Sequence, residues 1–457
     1  MTQAVPQNPL ATAGGRRRPR LTRLTRLIRL PGSPDAPGLL FAVRPGLSRR
    51  QGWWLLTVWM VMWGAWAARG GGYSWHYFQD GAWLLTHPGV PGAGLHLYAT
   101  HPQLQIGPLA LLVAIPGQLL PPEISRLLAE AGLAVLGLPM LRTLERARAH
   151  LTGRPVPMPL LLGVGAVVVP IWSQVAAHYT HLDDALAMAF AVVALRALVA
   201  RRPLLLAMAL AAAADAKPWA LGFAVLLVAL PVEHRRRAAL VTAAAVAAVW
   251  LPFVIADPQT LMIGRFTIDT AADSALRALG VKDPVTPPWD RPAQVILGAV
   301  IGLLAVRRGR WPLVPLAVVA ARMLLDPQTY PYYSSGLLIA AAAADLLHRR
   351  RVLPVWTLVL AAWVSLDAVT GSALPPAVHS VARAVVCLTT LLAIGWPTSG
   401  SPSSAPTRRK PGHFSRAVTA TPDDATTTQP TIRTAQVHHC AHHAADDRLP
   451  NPLTMTT

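Results

Sequence analysis

The sequence predicts an all-α integral membrane protein of about twelve transmembrane helices with a long first extracytoplasmic loop. Three observations carry this reading. Hydrophobic residues make up 53% of the 457 and charged residues only 14%, where a soluble globular chain carries roughly a quarter charged residues. Most of that deficit falls between residues 52 and 396, where apolar runs follow one another. The arginines between those runs come in short clusters, as in the cytoplasmic loops of membrane proteins. Together these features exclude a cytosolic enzyme, a secreted domain and a disordered scaffold. A net charge of +20 and a pI near 11.4 would otherwise suggest nucleic acid. The clustering assigns the charge to topology instead, and no nucleic-acid partner is expected.

Residues 1–51 read as a basic, disordered cytoplasmic arm, rich in Pro, Gly and Arg. Arg20, Arg23, Arg26 and Arg29 recur every third residue, so part of the arm is also compatible with a basic segment on an anionic membrane surface. Residues 52–396 form the polytopic membrane domain. Residues 397–457 are Ser-, Thr- and Pro-rich and read as a disordered cytoplasmic tail. His438, His439, Cys440, His442 and His443 in that tail lack the paired spacing of a structural zinc site. Cys387 and Cys440 are the only cysteines, and no disulfide is expected.

The run at 53–68 follows Arg44, Arg49 and Arg50, which places the N-terminus inside. Residues 70–123 contain no Lys or Arg and form the first external loop. Further spans are expected at 124–141, 157–174, 183–200, 203–215, 218–232, 238–255, 293–306, 311–325, 333–347, 352–369 and 380–396. This threading puts every later arginine cluster inside, provided that 106–120 does not cross. That run is short and broken by Pro108, Pro116 and Gly117, so a re-entrant or interfacial helix is expected there. The pair at 203–232 barely reaches across. Both termini are then cytoplasmic, in a multi-pass plasma-membrane protein. Most His, Asp and Tyr residues outside the spans gather in the external loops, which makes the outer face the working one.

Four polar groups stand out on that face. In the first loop, Tyr73, Tyr77 and Asp80 have the spacing of one helical face, beside His76. Asp80 is the only carboxylate of the loop before Glu123, as a general base acting on a hydroxyl requires. The plainer account is an interfacial belt anchored by Trp75, Phe78 and Trp83, with Asp80 solvated. His101 lies further along the same loop. The second group is His178-Tyr179-Thr180-His181-Leu182-Asp183-Asp184 at the mouth of a span. Its carboxylates either cap that helix or, with His181, bind sugar hydroxyls or a metal as hard ligands.

The third group is Asp215-Ala216-Lys217-Pro218-Trp219, a hairpin apex. Lys217 either pairs with Asp215 or binds a phosphate at the helix that opens at Pro218. The fourth is Asp326-Pro327-Gln328-Thr329, an echo of Asp257-Pro258-Gln259-Thr260 that points to shared turn chemistry. It runs on into Tyr330, Tyr332 and Tyr333, whose hydroxyls and rings suit a sugar and equally an aromatic belt. No P-loop or Rossmann glycine fingerprint occurs. No cofactor is firmly expected, although a divalent cation is compatible with the hard ligands.

An outer loop with aromatic-x-x-Tyr and a carboxylate, a Pro-Leu-Ala-Leu-Leu helix, a polar mouth before an Ala/Leu-rich span and a Lys-Pro apex follow one another here. In this order they resemble the polytopic class C glycosyltransferases that use polyprenyl-phosphate sugars. The actinobacterial alpha-mannosyltransferase-like membrane proteins are the nearest likeness. The resemblance covers roughly 50–395, and the Lys-Pro element matches Lys217-Pro218. It departs where those enzymes place an Asp-aromatic pair after the first span: Ser74-Trp75 stands there, and Asp80 follows about two helical turns later.

The resemblance implies a lipid-linked sugar donor and a cell-envelope glycolipid or polysaccharide acceptor. It also implies Asp80 as base with His76 beside it, and Lys217, Arg265 and Arg322 on the donor phosphate. Substrate would be lined by Tyr77, His101, His181, Asp183, Asp184, Asp326, Tyr330 and Tyr332. The competing classes are a transporter or lipid-carrier flippase, against which the lack of two-half symmetry argues, and a non-catalytic scaffold.

Overall fold

The computed structural model describes residues 47–396, apart from Asp283, 349–352 and 371–372. Residues 1–46 of the basic arm, the histidine-rich tail and the arginines at 349–351 lie outside the described residues, while residues 49–51 of that arm, expected to be disordered, already belong to the first helix. Among the described residues every regular element is helical, and the only extended pairing is one bridge between Asp269 and Val285.

Ser48 opens the first helix, α1 (Arg49–Ala67). Its hydroxyl accepts from the Gln51 amide while the Gln51 side chain returns to the Ser48 amide, a reciprocal cap. The segment after it holds α2 (Trp75–Thr86) and α3 (Pro108–Ala114), the latter continued by a 3-10 stretch at Ile115–Leu119. Then come α4 (Pro122–Thr152), α5 (Met158–Ser173), α6 (Leu182–Val199), α7 (Pro203–Ala216), a 3-10 segment at Pro218–Ala229 and α8 (Val232–Ala256). The chain ends with α9 (Asp290–Arg307), α10 (Val314–Leu325), α11 (Tyr333–Leu347), α12 (Val355–Thr370) and α13 (Pro376–Gly395). Proline sits in the first turn of α3, α4, α5, α7 and α13, where its missing N–H costs nothing and its fixed φ is already helical.

Four segments are long and apolar enough to cross a membrane: Pro122–Thr152, Met158–His178, Val232–Ala256 and Pro376–Gly395. The other expected spans are occupied by helices too, but shorter ones. The run expected not to cross is a 7-residue α-helix plus five 3-10 residues. At 1.5 and 2.0 Å per residue it reaches only about 20 Å, short of a ~30 Å hydrocarbon core. The short pair behaves differently. The twelve residues of Pro218–Ala229 are wound as a 3-10 helix, which stretches them to about 24 Å where an α-helix would give about 18 Å.

Burial sorts the helices into an inner and an outer set. α11 is buried on every side from Leu337 to Leu347, and α10 nearly so from Val314 to Leu325, as expected of helices apolar all round. α8 buries only Ala238, Thr242 and Phe253, and α12 only Thr357 and Leu360. Small residues set the close approaches. A Cβ on Gly137 would lie 2.6 Å from Trp172, whose indole N–H donates to the Leu133 carbonyl at 2.9 Å.

The aromatic belt expected in the first loop is half wrong. Trp75 and Phe78 are 5% and 0% exposed, because α2 lies with that face on the protein, and the Trp75 indole donates to Ser125 at 3.3 Å. Only Trp83 is exposed. Tyr73 precedes the helix, so the open side of α2 carries His76, Tyr77, Asp80 and Trp83.

Gly107 is the tightest join between this loop and the bundle. Its amide donates to the Ala216 carbonyl at 3.1 Å, and a Cβ there would overlap the Asp215 carbonyl oxygen. Gly107→Ala should cost about 1–3 kcal/mol through backbone displacement. Gly163→Ala, in open space within α5, should be neutral or stabilise by about 0.5–1 kcal/mol. Melting temperatures of the two variants in mild detergent compare them directly, and equal melting would mean that the loop does not dock this way.

Candidate functional site

The chain makes an irregular passage between α5 and α6. The end of α5 widens into a π turn at Gln174–His178, and Thr180 adopts a left-handed φ of 49°. His181 then stands at the N-terminus of α6, with Asp183 and Asp184 in its first turn. The Asp184 amide donates to the Asp183 carboxylate at 2.8 Å. Both carboxylates meet the positive end of the helix dipole. They are also 0% and 6% exposed, and burial of this depth demands cationic partners.

Two other elements supply them. α7 stops at Ala216, and Lys217 goes extended at φ −149° and ψ 117°, so its ammonium pairs with Asp183. This corrects the expected pairing with Asp215. That residue is 3% exposed, and its Oδ1 makes no hydrogen bond. From α10, Arg322 pairs with Asp184 at 2.6 Å and lies 3.5 Å from Asp326. Its guanidinium sits 4.6 Å above the Trp219 ring and 4.2 Å from that of Tyr333. The Trp219 indole donates to Asp184 at 3.0 Å.

His181 closes the group from the loop side. Its ring nitrogens lie 3.3 Å from Asp183 and 3.4 Å from Asp184. Nδ1 of His181 and Oδ2 of Asp184 are buried without a hydrogen bond. The His181 ring meets Tyr332 edge-on at 3.9 Å and Phe78 of α2 at 6.0 Å. Burial lowers the pKa of the imidazole, and the two aspartates oppose this. The ligand atoms of His181, Asp183 and Asp184 lie within 4.8 Å of one another. Lys217 and Arg322 already neutralise both carboxylates, so this arrangement is an ion-pair cluster, and a dication would have to displace the ammonium.

The structure therefore joins Lys217, Arg322, His181, Asp183, Asp184, Asp326 and Tyr332. Tyr330 stacks on Tyr332 at 5.4 Å, and Tyr77 lies near enough to be coupled to Tyr330 electrostatically. Asp80 and His76 are on the open face of α2, above this cluster and not in it. Partial desolvation raises the Asp80 pKa from the ordinary carboxylate range, and His76 pulls it back. His101 stands apart, at the end of a single helical turn, 3.4 Å from Gln103. The side chain of Arg265 lies outside the described residues. Asp257 and Asp326 each accept from the amide two residues on, at 2.9 and 3.0 Å, which is the shared turn behind the Asp-Pro-Gln-Thr echo.

Two cavities flank the cluster. One, of about 10 Å³, lies between Asp184, Trp219, Arg322 and Tyr333, and holds about one water. The other, of about 260 Å³, is lined by Tyr330, Tyr333, Trp363, Asp367 and Arg383. Arg383 is held there by Asp273 at 2.7 Å and Asp367 at 2.9 Å. Trp219, which meets Arg322, carried no sequence signal beyond its place beside Lys217-Pro218, and Tyr333, singled out with Tyr330 and Tyr332 as a sugar contact, lies instead against Arg322.

Removing one partner of the Asp184–Arg322 pair leaves a buried charge behind, at a cost of about 3–5 kcal/mol. Asp184→Ala and Arg322→Ala should each lower stability in detergent by that order. The double variant should fall short of their sum by about 2 kcal/mol. Strict additivity in this cycle would mean that the pair is not coupled.

No protein-family model matches this chain, nor does any curated protein or solved structure.

Proposed function

We propose that this protein is a membrane glycosyltransferase of class C architecture, with twelve spans and both termini on the cytoplasmic side of the plasma membrane. It moves a sugar, mannose or another hexose or pentose, from a polyprenyl-phosphate donor to a cell-envelope glycolipid or polysaccharide on the outer face. The observation that carries this reading is the placement of Asp80. It is an open carboxylate without an ion-pair partner among the described residues, on the short helix that packs through Phe78 on the buried cluster of Lys217 and Arg322, and transfer at Lys217 requires α2 to turn Asp80 toward it.

Asp80 takes the proton of the acceptor hydroxyl. The hydroxyl oxygen attacks the anomeric carbon, and the bond from that carbon to the phosphate oxygen breaks with inversion. The polyprenyl phosphate leaves with the electron pair. Lys217 is the more exposed of the two cations, with 14% of its side chain open, and exchanges its carboxylate partner for the donor phosphate. The cavity beside Tyr330 and Tyr333 offers ring faces and fixed polar groups to the acceptor sugar. No nucleic acid and no nucleotide enters this scheme.

The second reading is a transporter or lipid-carrier flippase. The unbonded His181 nitrogen and Asp184 oxygen, with a water-sized cavity lined by Asp184, favour it, because such groups serve proton relays. Against it, the charged cluster sits at helix ends, whereas carrier sites lie near the midplane.

Native mass spectrometry of the detergent-purified protein tests for the carrier lipid, and transfer assays then separate the enzyme from a flippase. A bound polyprenyl phosphate or its glycosylated form, lost in Lys217→Ala, is the expected result. Retention of bulk phospholipid alone, after addition of polyprenyl-phosphate sugars, would sink the glycosyltransferase reading. In transfer assays Asp80→Asn should lose about 10²–10⁴-fold. The raised pKa of Asp80 fixes the sign of the acid limb. The base protonates as pH falls, so transfer declines through a midpoint above the ordinary carboxylate value of about 3.9, and Asp80→Asn lacks that limb.

A further inference from the structure

α1 and α4 run antiparallel. Near the aspartate cluster, the start of α4 meets the segment after α1, where Trp75 donates to Ser125. At the far end Arg49 donates to the Val156 carbonyl at 3.3 Å and pairs with the buried Glu145. Between the two helices at that end lies an open groove of about 650 Å³. Arg49, Arg50, Arg142, Arg146 and Glu145 line it, together with Trp53 and Trp54. Four guanidiniums thus face one carboxylate. Glu145 is occupied by Arg49, and Arg50, Arg142 and Arg146 are exposed with no acidic partner among the described residues. The Arg142 guanidinium lies 5.3 Å from the Trp53 ring, so its charge is held at the wall of the groove.

We propose that this groove binds the phosphodiester headgroup of an anionic phospholipid, with an acyl chain laid along α1. Three features select a lipid over a soluble phosphate. The groove lies at the C-terminal end of α4, a segment able to cross a membrane. The 19 residues of α1 separate it from the outer cluster by about 28 Å, close to a hydrocarbon core of ~30 Å, so it falls at headgroup depth. A continuous exposed apolar stripe leaves it along α1, through Trp54, Val58 and Met62 at 60%, 51% and 57% exposure. Guanidiniums suit the diester oxygens because their fork of donors engages two oxygens at once. Basic pockets between spans at this depth are a recurring way of holding anionic lipids. The site is independent of the proposed glycosyl transfer and lies at the other end of the molecule.

The test is a titration of delipidated full-length protein in detergent, read by native mass spectrometry. Phosphatidylglycerol should be retained and phosphatidylcholine should not. Arg142→Gln combined with Arg146→Gln should weaken phosphatidylglycerol by roughly 25-fold, at about fivefold per arginine. Arg201→Gln with Arg202→Gln, which removes the same charge elsewhere, should leave it unchanged. If the first double variant fails to assemble, Arg50→Gln alone is read for its fivefold. Equal loss in both double variants, or no preference over phosphatidylcholine, overturns the site. Displacement by glycerol 3-phosphate at the same concentration as the lipid overturns the lipid as occupant in favour of a soluble phosphate.

Discussion

Two carboxylates buried in the first turn of α6 set the terms for this end of the helix bundle. A helix N-terminus carries about half a positive charge, too little to hold both Asp183 and Asp184 ionised out of water. Cations must come from elsewhere, and the chain brings them from 34 and 138 residues away. For Lys217 to arrive, α7 has to stop at Ala216 and the backbone has to go extended. For Arg322 to arrive, α10 has to run fully buried until Leu325, with Trp219 and Tyr333 as the walls that hold the guanidinium flat. The π turn before His181 and the left-handed Thr180 are then the backbone cost of presenting α6 at this angle. Irregular backbone at such a place is tolerable because its polar groups are satisfied within the protein: the Tyr73 and Ser74 amides donate to the His178 and Tyr179 carbonyls at 3.2 and 2.7 Å.

The helical architecture was legible because apolar runs, arginine clusters and first-turn prolines are local signals. The turn at each Asp-Pro-Gln-Thr was legible for the same reason, since the aspartate bonds an amide two residues on. The partners of the buried charges were not. Asp215 is two residues from Lys217 and reads as its natural partner, yet the extended backbone at Lys217 turns the ammonium toward Asp183 instead. Nothing in the sequence near Arg322 indicates that Asp184, and not Asp326 four residues on, is its closer partner. The inner face of α2 was misread because aromatics occur on both sides of that helix. Helical spacing alone does not distinguish Trp75 and Phe78, which are buried, from Tyr77 and Trp83, which are not.

The 3-10 segment after Lys217 follows from the same demand. With α7 shortened to place the lysine, only twelve residues remain before Leu230 and the arginines at 235–237. A 3-10 winding gives those residues more length at the expense of hydrogen-bond geometry. Long 3-10 stretches are uncommon on their own account. This one is stabilised by its packing: a Cβ on Gly222 would lie 2.9 Å from Val318 of α10, and Phe223 is fully buried with its ring 5.4 Å from Trp219. The segment that fixes Lys217 therefore also lies against the helix that carries Arg322.

This coupling bears on how a substrate could use the cluster. With both carboxylates neutralised and room for about one water, the buried part has no space for a phosphate as it stands. Lys217 is the most exposed cation of the cluster, with 14% of its side chain open against 8% for Arg322. An incoming anion would exchange with Asp183 for the ammonium and leave that carboxylate beside His181, the one titratable group within reach to compensate it. Asp184, held by both Arg322 and Trp219, would stay fixed during the exchange. The two aspartates are adjacent in sequence and nearly equal in burial, but their partners divide the work. Asp184 anchors α6 to α10, while Asp183 holds the lysine at the end of α7.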